Sequence, residues 1–102
     1  MSGLVRVCKT SDLLPGEKIA VEISGKSILL VNCNGRFCAV SNLCTHLQVE
    51  LVNGFLLDDD VVCSAHLSRF RLETGEVLNP PATIPLDTYK TLVQNDEVFV
   101  EA

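Results

Sequence analysis

Both histidines of this 102-residue chain fall within "CTHLQVELVNGFLLDDDVVCSAH", residues 44–66, and each stands beside a cysteine, in Cys44-x-His46 and Cys63-x-x-His66. Any fold that uses the two pairs together must bring two short stretches, sixteen residues apart, to face each other. Two thiolates and two imidazoles make a complete ligand set for either of two centres, a structural zinc or a [2Fe–2S] cluster with mixed ligation. Zinc fingers usually offer Cys with Cys on one knuckle and His with His on a helix. Here each stretch carries one of each. If both thiolates held one iron and both imidazoles the other, the two loops would clamp a dinuclear cluster symmetrically. Neutral imidazole in place of thiolate would also raise its potential above that of an all-cysteine cluster.

The rest of the chain reads as short strands with turn punctuation and almost no helical periodicity. In "SILLVNCNGRFCAVS" the Asn34-Gly35 pair separates two apolar runs, and Asn-Gly favours the positive φ angles of a two-residue hairpin turn. "RFRLETGEVL" predicts a second hairpin turning near Thr74-Gly75, and "KTLVQNDEVFVEA" a third at Asn95-Asp96. "KIAVEIS" and "LVRVC" add further strands, while "TSDLLPGE" is a loop or one helical turn with Thr10, Ser11 or Asp12 as its cap. "NPPATIP" is barred from a central strand because Pro80, Pro81 and Pro85 lack ladder donors. Strands at this spacing predict one all-β domain over residues 1–102, a small sandwich or barrel. The 44–66 segment is then an insertion with the Cys/His pairs at the mouths of two loops.

Charge and cysteine usage narrow the function classes. Eight Lys and Arg against thirteen Asp and Glu give a net charge of −5, which disfavours nucleic acid, whose phosphates need basic groups. Arg69 and Arg71 are the only bases that come close together. An acidic chain of this kind is expected to dock on basic surfaces. No apolar run is long enough to span a bilayer, and "MSGLVRVCKTSD" lacks the pattern of a signal peptide. Five cysteines cannot all pair internally, and a disulfide framework suits a secreted chain better. A reducing cytoplasm is the expected home.

The paired motif, CxH then CxxH, resembles the Rieske family, and the similarity runs through nearly the whole chain. "SDLLPGE" and "NGRFCAVSNLCTH" are similar to the family's upstream pieces, Gly54 stands where its inter-loop hairpin usually has a glycine, and "RFRLETGEVLNPPATIPLDTY" resembles the segment after the second ligand loop in Rieske ferredoxins that serve oxygenases. The resemblance implies an all-β fold with a cluster-binding subdomain at about 43–82, formed by two hairpin loops. It implies one [2Fe–2S] cluster, with Cys44 and Cys63 on the inner iron and His46 and His66 on the outer iron through Nδ1. The implied role is that of a soluble one-electron carrier, not an enzyme, taking electrons from an NAD(P)H-dependent flavoprotein reductase and passing them to a terminal ring-hydroxylating oxygenase. Both partners would dock transiently at the histidine-bearing tip, and neither nucleic acid nor membrane is implied. The competing readings are the small subunit of another reductase system and a zinc-stabilised binding module without redox chemistry.

Departures from the family pattern carry their own expectations. Val49 and Ala65 occupy the positions of the extra cysteines found in high-potential members, so no disulfide can bridge the ligand loops. Ser68 keeps a hydroxyl two residues after the second histidine, but Phe70 replaces a frequent tyrosine and removes one hydrogen bond toward a cluster ligand. Fewer such bonds stabilise the reduced cluster less, so the expected potential is at the low end of the Rieske range, roughly −150 mV. Leu67 replaces a common glycine, so the loop must either bend differently or tolerate strain. Leu47 and Leu67 are expected to shield the cluster, and Pro80 and Pro81 resemble its covering loop, although an edge turn is an equal reading. Asp58, Asp59 and Asp60 read as a solvated hairpin turn, with docking as the alternative. Cys8, Cys33 and Cys38 read as buried strand thiols, and Tyr89 as a strand residue packing its ring.

Overall fold

The structure is a computed structural model that describes residues 3–45, 49–65, 67–80 and 82–102. Asn34 and Gly35 both take positive φ, 53° and 94°, and fold β3 (Lys26–Cys33) onto β4 (Arg36–Ser41) through a type I′ turn. Asn95 and Asp96, at 53° and 62°, join β9 (Thr88–Gln94) to β10 (Glu97–Glu101) in the same way. Ser24-Gly25 supplies a third such turn between β2 (Lys18–Ile23) and β3. With β1 (Leu4–Lys9) against β10, these strands form a six-stranded antiparallel sheet in the order β1-β10-β9-β4-β3-β2.

Laid flat, six strands would hold β1 and β2 about 24 Å apart, at roughly 4.8 Å per step. Yet Cys8 of β1 and Ile23 of β2 share one buried cluster with Ile28, Leu30, Phe37, Ala39, Val98 and Val100. The sheet therefore curls around its own interior, as a barrel does. The alternate residues of β3 and β4, Leu29, Val31, Cys38 and Val40, point the other way into a second core. That double burial explains why "ILLV" runs apolar without a break, since a strand covered on both faces has no solvent side to keep polar.

The second core is closed by a separate four-stranded sheet inserted between β4 and β9. Its order is β5 (Phe55–Leu57), β6 (Asp60–Val62), β7 (Arg69–Arg71), β8 (Val77–Asn79), with every neighbouring pair antiparallel. Gly75, at φ 77°, turns the β7–β8 hairpin. Gly54 has ordinary φ but cannot be larger, because a Cβ there would collide with the Val62 carbonyl. Short 3-10 turns occupy Thr10–Asp12 and Leu51–Asn53.

Two sequence expectations need correction. The first 3-10 turn is capped at Lys9, outside the trio of candidates; Asp12 sits inside it and its Oδ2 accepts from the Lys9 N–H at 3.0 Å. The acidic run is not all solvated either. Asp60 is a residue of β6, 3% exposed, and its carboxylate accepts from Arg69 Nε at 2.6 Å while Arg71 Nε lies at 3.7 Å. The register places those two arginines on the neighbouring strand, with Arg71 directly opposite Asp60. Burial there is tolerated because the charge is paired and hydrogen-bonded.

Candidate metal centre

Cys44 leaves the far end of β4, and Cys63 follows β6, so the two cysteines belong to different sheets. Both are nearly fully buried, at 2% and 1% exposure, and both lie in the core shared by the sheets, with Leu51, Val61, Phe70 and Leu72. No disulfide joins the cysteines, and Val49 and Ala65 leave the loops without an extra pair of thiols to bridge them. His46, Leu47, Gln48, His66 and Pro81 lie outside the described residues, so the expectations placed on them concern positions on which the structure is silent.

The first loop is closed at its base. Leu43 and Glu50 form an antiparallel bridge, and the Cys44 N–H donates to the Val49 carbonyl at 2.9 Å. Asn42, fully buried, organises the entry. Its Nδ2 donates to Ser27 Oγ at 3.0 Å and to Glu50 Oε1 at 3.2 Å, and its Oδ1 accepts from the Val52 N–H at 3.0 Å. A buried amide with both ends satisfied fixes direction as well as position. Thr45 Oγ1 then donates to the Ile84 carbonyl at 2.6 Å, tying the loop to the segment after β8.

The second loop is closed by backbone hydrogen bonds between its two ends. The Leu67 N–H donates to the Cys63 carbonyl at 3.0 Å, and the Cys63 N–H to the Ser68 carbonyl at 2.8 Å. There Leu67 takes φ 62°, a left-handed conformation that a leucine adopts only at a cost. Of the two alternatives that follow from replacing glycine, Leu67 shows the strained one. Asn79 Nδ2 holds the strained peptide through the Leu67 carbonyl at 3.1 Å. Leu67 is 55% exposed and lines an open groove of about 410 Å³, in which Phe55, Leu57 and Leu78 stand beside Arg69, Arg71 and Asn79.

Ser68 is fully buried, and its Oγ accepts from the Ala82 N–H at 3.1 Å, which pins the segment after the prolines against the second loop. Phe70, also fully buried, fills the core beneath with no hydroxyl to offer. Pro80 is exposed at the end of the β8 edge strand. Tyr89 packs against the barrel interior with the Lys26 ammonium 5.8 Å from its ring centroid. Sequence reasoning passed over Asn42, Thr45 and Asn79, whose side chains hold the loops; their signal lies in contacts between distant segments.

Two thiols presented from two closed loops into a dry core suit a buried metal–sulfur centre, and no helix among the described residues is long and apolar enough to cross a membrane. Residues 3–90 match the family model of the Rieske [2Fe-2S] domain. The ferredoxin component of biphenyl 2,3-dioxygenase from Rhodococcus jostii (strain RHA1) is 36% identical over 96% of this chain and 92% of its own length. Among solved structures, the ferredoxin of carbazole 1,9a-dioxygenase from Nocardioides aromaticivorans IC177 superimposes with a TM-score of 0.92 at 29% identity, covering 95% of each chain. A chain from the complex of reduced oxygenase and oxidized ferredoxin in carbazole 1,9a-dioxygenase gives 0.92 at 30% identity, covering 96% of this chain and 92% of that one.

Proposed function

Since this chain belongs to the Rieske [2Fe-2S] domain family, we propose that it is the ferredoxin component of a multicomponent oxygenase, a one-electron carrier between a flavoprotein reductase and a terminal ring-hydroxylating oxygenase. The observation that carries the reading is the convergence of Cys44 and Cys63, both buried, on one core although they come from loops of different sheets. Cys44 and Cys63 would hold one iron, and His46 and His66 the other. When bound, a [2Fe–2S] cluster supplies reversible one-electron chemistry, at a potential expected near the low end of its class, roughly −150 mV.

The chain's own residues set the conditions for that chemistry. Leu51, Val61, Phe70 and Leu72 exclude water from the cysteine side, which lowers the local dielectric and disfavours added negative charge. The base hydrogen bonds of both loops and the Asn42 amide fix where the thiols point before any metal arrives. Residues from about 43 to 82 would act as the cluster-binding subdomain, with the curled six-stranded sheet as its support. Neither catalytic nucleophile nor acid–base pair enters the reading; the protein carries the electron and its partner performs the reaction.

Partner contact belongs at the ligand-loop tip, where the exposed Leu67, Phe55, Leu57 and Leu78 share a groove with Arg69 and Arg71. The carbazole 1,9a-dioxygenase relative, solved as an oxygenase–ferredoxin complex, supports a terminal oxygenase as one partner. An odd number of cysteines, five, with no disulfide among them fits a reducing cytoplasm. The deciding measurement is low-temperature EPR of the dithionite-reduced protein with iron and zinc counted per chain. Two irons and a rhombic signal of low average g are expected. Stoichiometric zinc without a signal, after anaerobic purification, would leave a structural module and end the electron-transfer reading.

A further inference from the structure

We propose that Cys33 and Cys38 together form a second metal site, for a two-coordinate soft cation of the Cu(I) class. The pair is built by the β3–β4 hairpin, at the turn end, whereas Cys44 follows the opposite end of β4. Cys33 is opposite Arg36 and Cys38 opposite Val31, so the two cysteines are diagonal neighbours on one face of the hairpin. Both pack into the same core, and each thiol is the leading influence on the other's ionisation. Neither takes part in the proposed cluster site.

Distance and donor count decide what such a pair can hold. Diagonal neighbours in an antiparallel pair have Cα atoms about 7–8 Å apart, beyond the roughly 6.8 Å upper end for a disulfide. A sulfur–sulfur bond would therefore drag the two strands together. A bridging ion needs much less, because two metal–sulfur bonds of about 2.3 Å separate the sulfurs by up to about 4.6 Å. Zinc is disfavoured because it wants four ligands, and no group of three or more His, Cys, Asp or Glu that could hold a metal occurs among the described residues. Thiolate softness selects Cu(I) among ions content with two donors.

Charge and access agree with that assignment. Two thiolates around a monovalent ion leave one negative charge, and Arg36 is the cation placed to meet it, although its Nη1 also pairs with Glu73 Oε2 at 3.1 Å. Asp59, from the β5–β6 turn, and Glu73, after β7, are the anions that oppose it. Cys38 lines an open cleft of about 510 Å³ with Arg36, Phe37, Leu72 and Glu73, and Cys33 is half-buried. Contact with Cys33, ahead of the attraction of Arg36, brings the Cys38 thiol down to about 7 despite its burial. Cys33 is pushed up as the proton-holding partner, and metal binding would release its proton.

The test is anaerobic titration of the iron-loaded protein with Cu(I) buffered by bicinchoninate, counting copper and iron per chain and following the visible absorption. One copper per chain with iron and absorption unchanged is expected, with affinity at least a hundredfold weaker in Cys33→Ser and in Cys38→Ala. Cys33→Ser keeps the test usable should Cys38→Ala fail to fold, because position 33 is half-exposed. Equal copper affinity in wild type and Cys33→Ser, or copper uptake matched by iron loss, would overturn the site. Should the purified chain carry no iron, the same comparison of wild type with variants still judges the copper site, while the iron count judges the carrier.

Discussion

The two sheets solve the problem of stability differently. Strands of the six-stranded sheet run five to eight residues, and three of their connections are positive-φ two-residue turns, over an apolar interior. All four strands of the inserted sheet have three residues, too short to be stable without help from a neighbour. The long-stranded half holds itself by burial. Its short-stranded neighbour leans on β3 and β4 and is stitched by side chains, with Asp60 between two arginines, Asn79 on the Leu67 carbonyl and Ser68 under Ala82. A site that must present two loops in fixed geometry takes one loop from each half, and the fold steadies the weaker half with polar clamps and, on the proposed reading, with the metal.

The sharpest way to break the pair apart is Cys63→Ser. It should abolish cluster binding and cost the inserted sheet most of its stability, because metal-site binding energy is also folding energy. Hydrogen exchange of the purified variant should show β5–β8 amides exchanging far faster while β2–β4 and β9–β10 remain protected. Uniform loss of protection across both sheets would mean that the halves fold as one unit.

Gly54→Ala comes next in size. Its Cβ would meet the Val62 carbonyl, which is backbone and cannot swing aside. A cost of about 3 kcal/mol is expected, at the upper end for overpacking, read as a lower denaturation midpoint; a midpoint unchanged from wild type would show that the β5–β6 hairpin yields. Asp60→Asn follows, at about 2 kcal/mol, because charge-assisted hydrogen bonds contribute more than neutral ones and both arginines lose their counter-charge. Arg71→Lys should cost less than Asp60→Asn, since Arg71 is half exposed and only 3.7 Å from the carboxylate. The reverse order would locate the clamp on Arg71.

How much of this the sequence discloses depends on how far each cause reaches along the chain. The Asn34-Gly35 and Asn95-Asp96 turns are local, so both hairpins are legible from dipeptides alone. The Cys/His pairs are legible because four metal-binding side chains rarely fall together. Asp60 is misread because its partners lie nine and eleven residues on, across a register that nothing local announces; three adjacent aspartates look like a solvated turn until one of them is threaded into a strand. Asn42 is hidden for the same reason, since its bonds reach back to Ser27 and forward to Glu50 and Val52. The contact between Cys33 and Cys38 is an intermediate case: it follows from counting back along the hairpin once the Asn-Gly turn fixes the register.

Leu67 gives the smallest effect and the only one of opposite sign. A residue at φ 62° costs about 1–2 kcal/mol relative to right-handed backbone, and glycine removes that cost. Glycine in turn loses more chain entropy on folding, by roughly 0.5–1 kcal/mol. The Leu67 side chain, more than half exposed, has little burial to forfeit. Leu67→Gly should therefore stabilise the oxidised protein by about 0.5 kcal/mol, raising Tm by about 3 °C for a domain of this size. Leu67→Asn should fall between the two because asparagine tolerates left-handed backbone, and Leu67→Val should be the least stable because a β-branched residue fits it worst. A glycine variant melting below wild type would mean that Leu67 holds the loop by packing on Phe55 and Leu78. In that case the groove is a structural part of the short-stranded half as well as an exposed face of it.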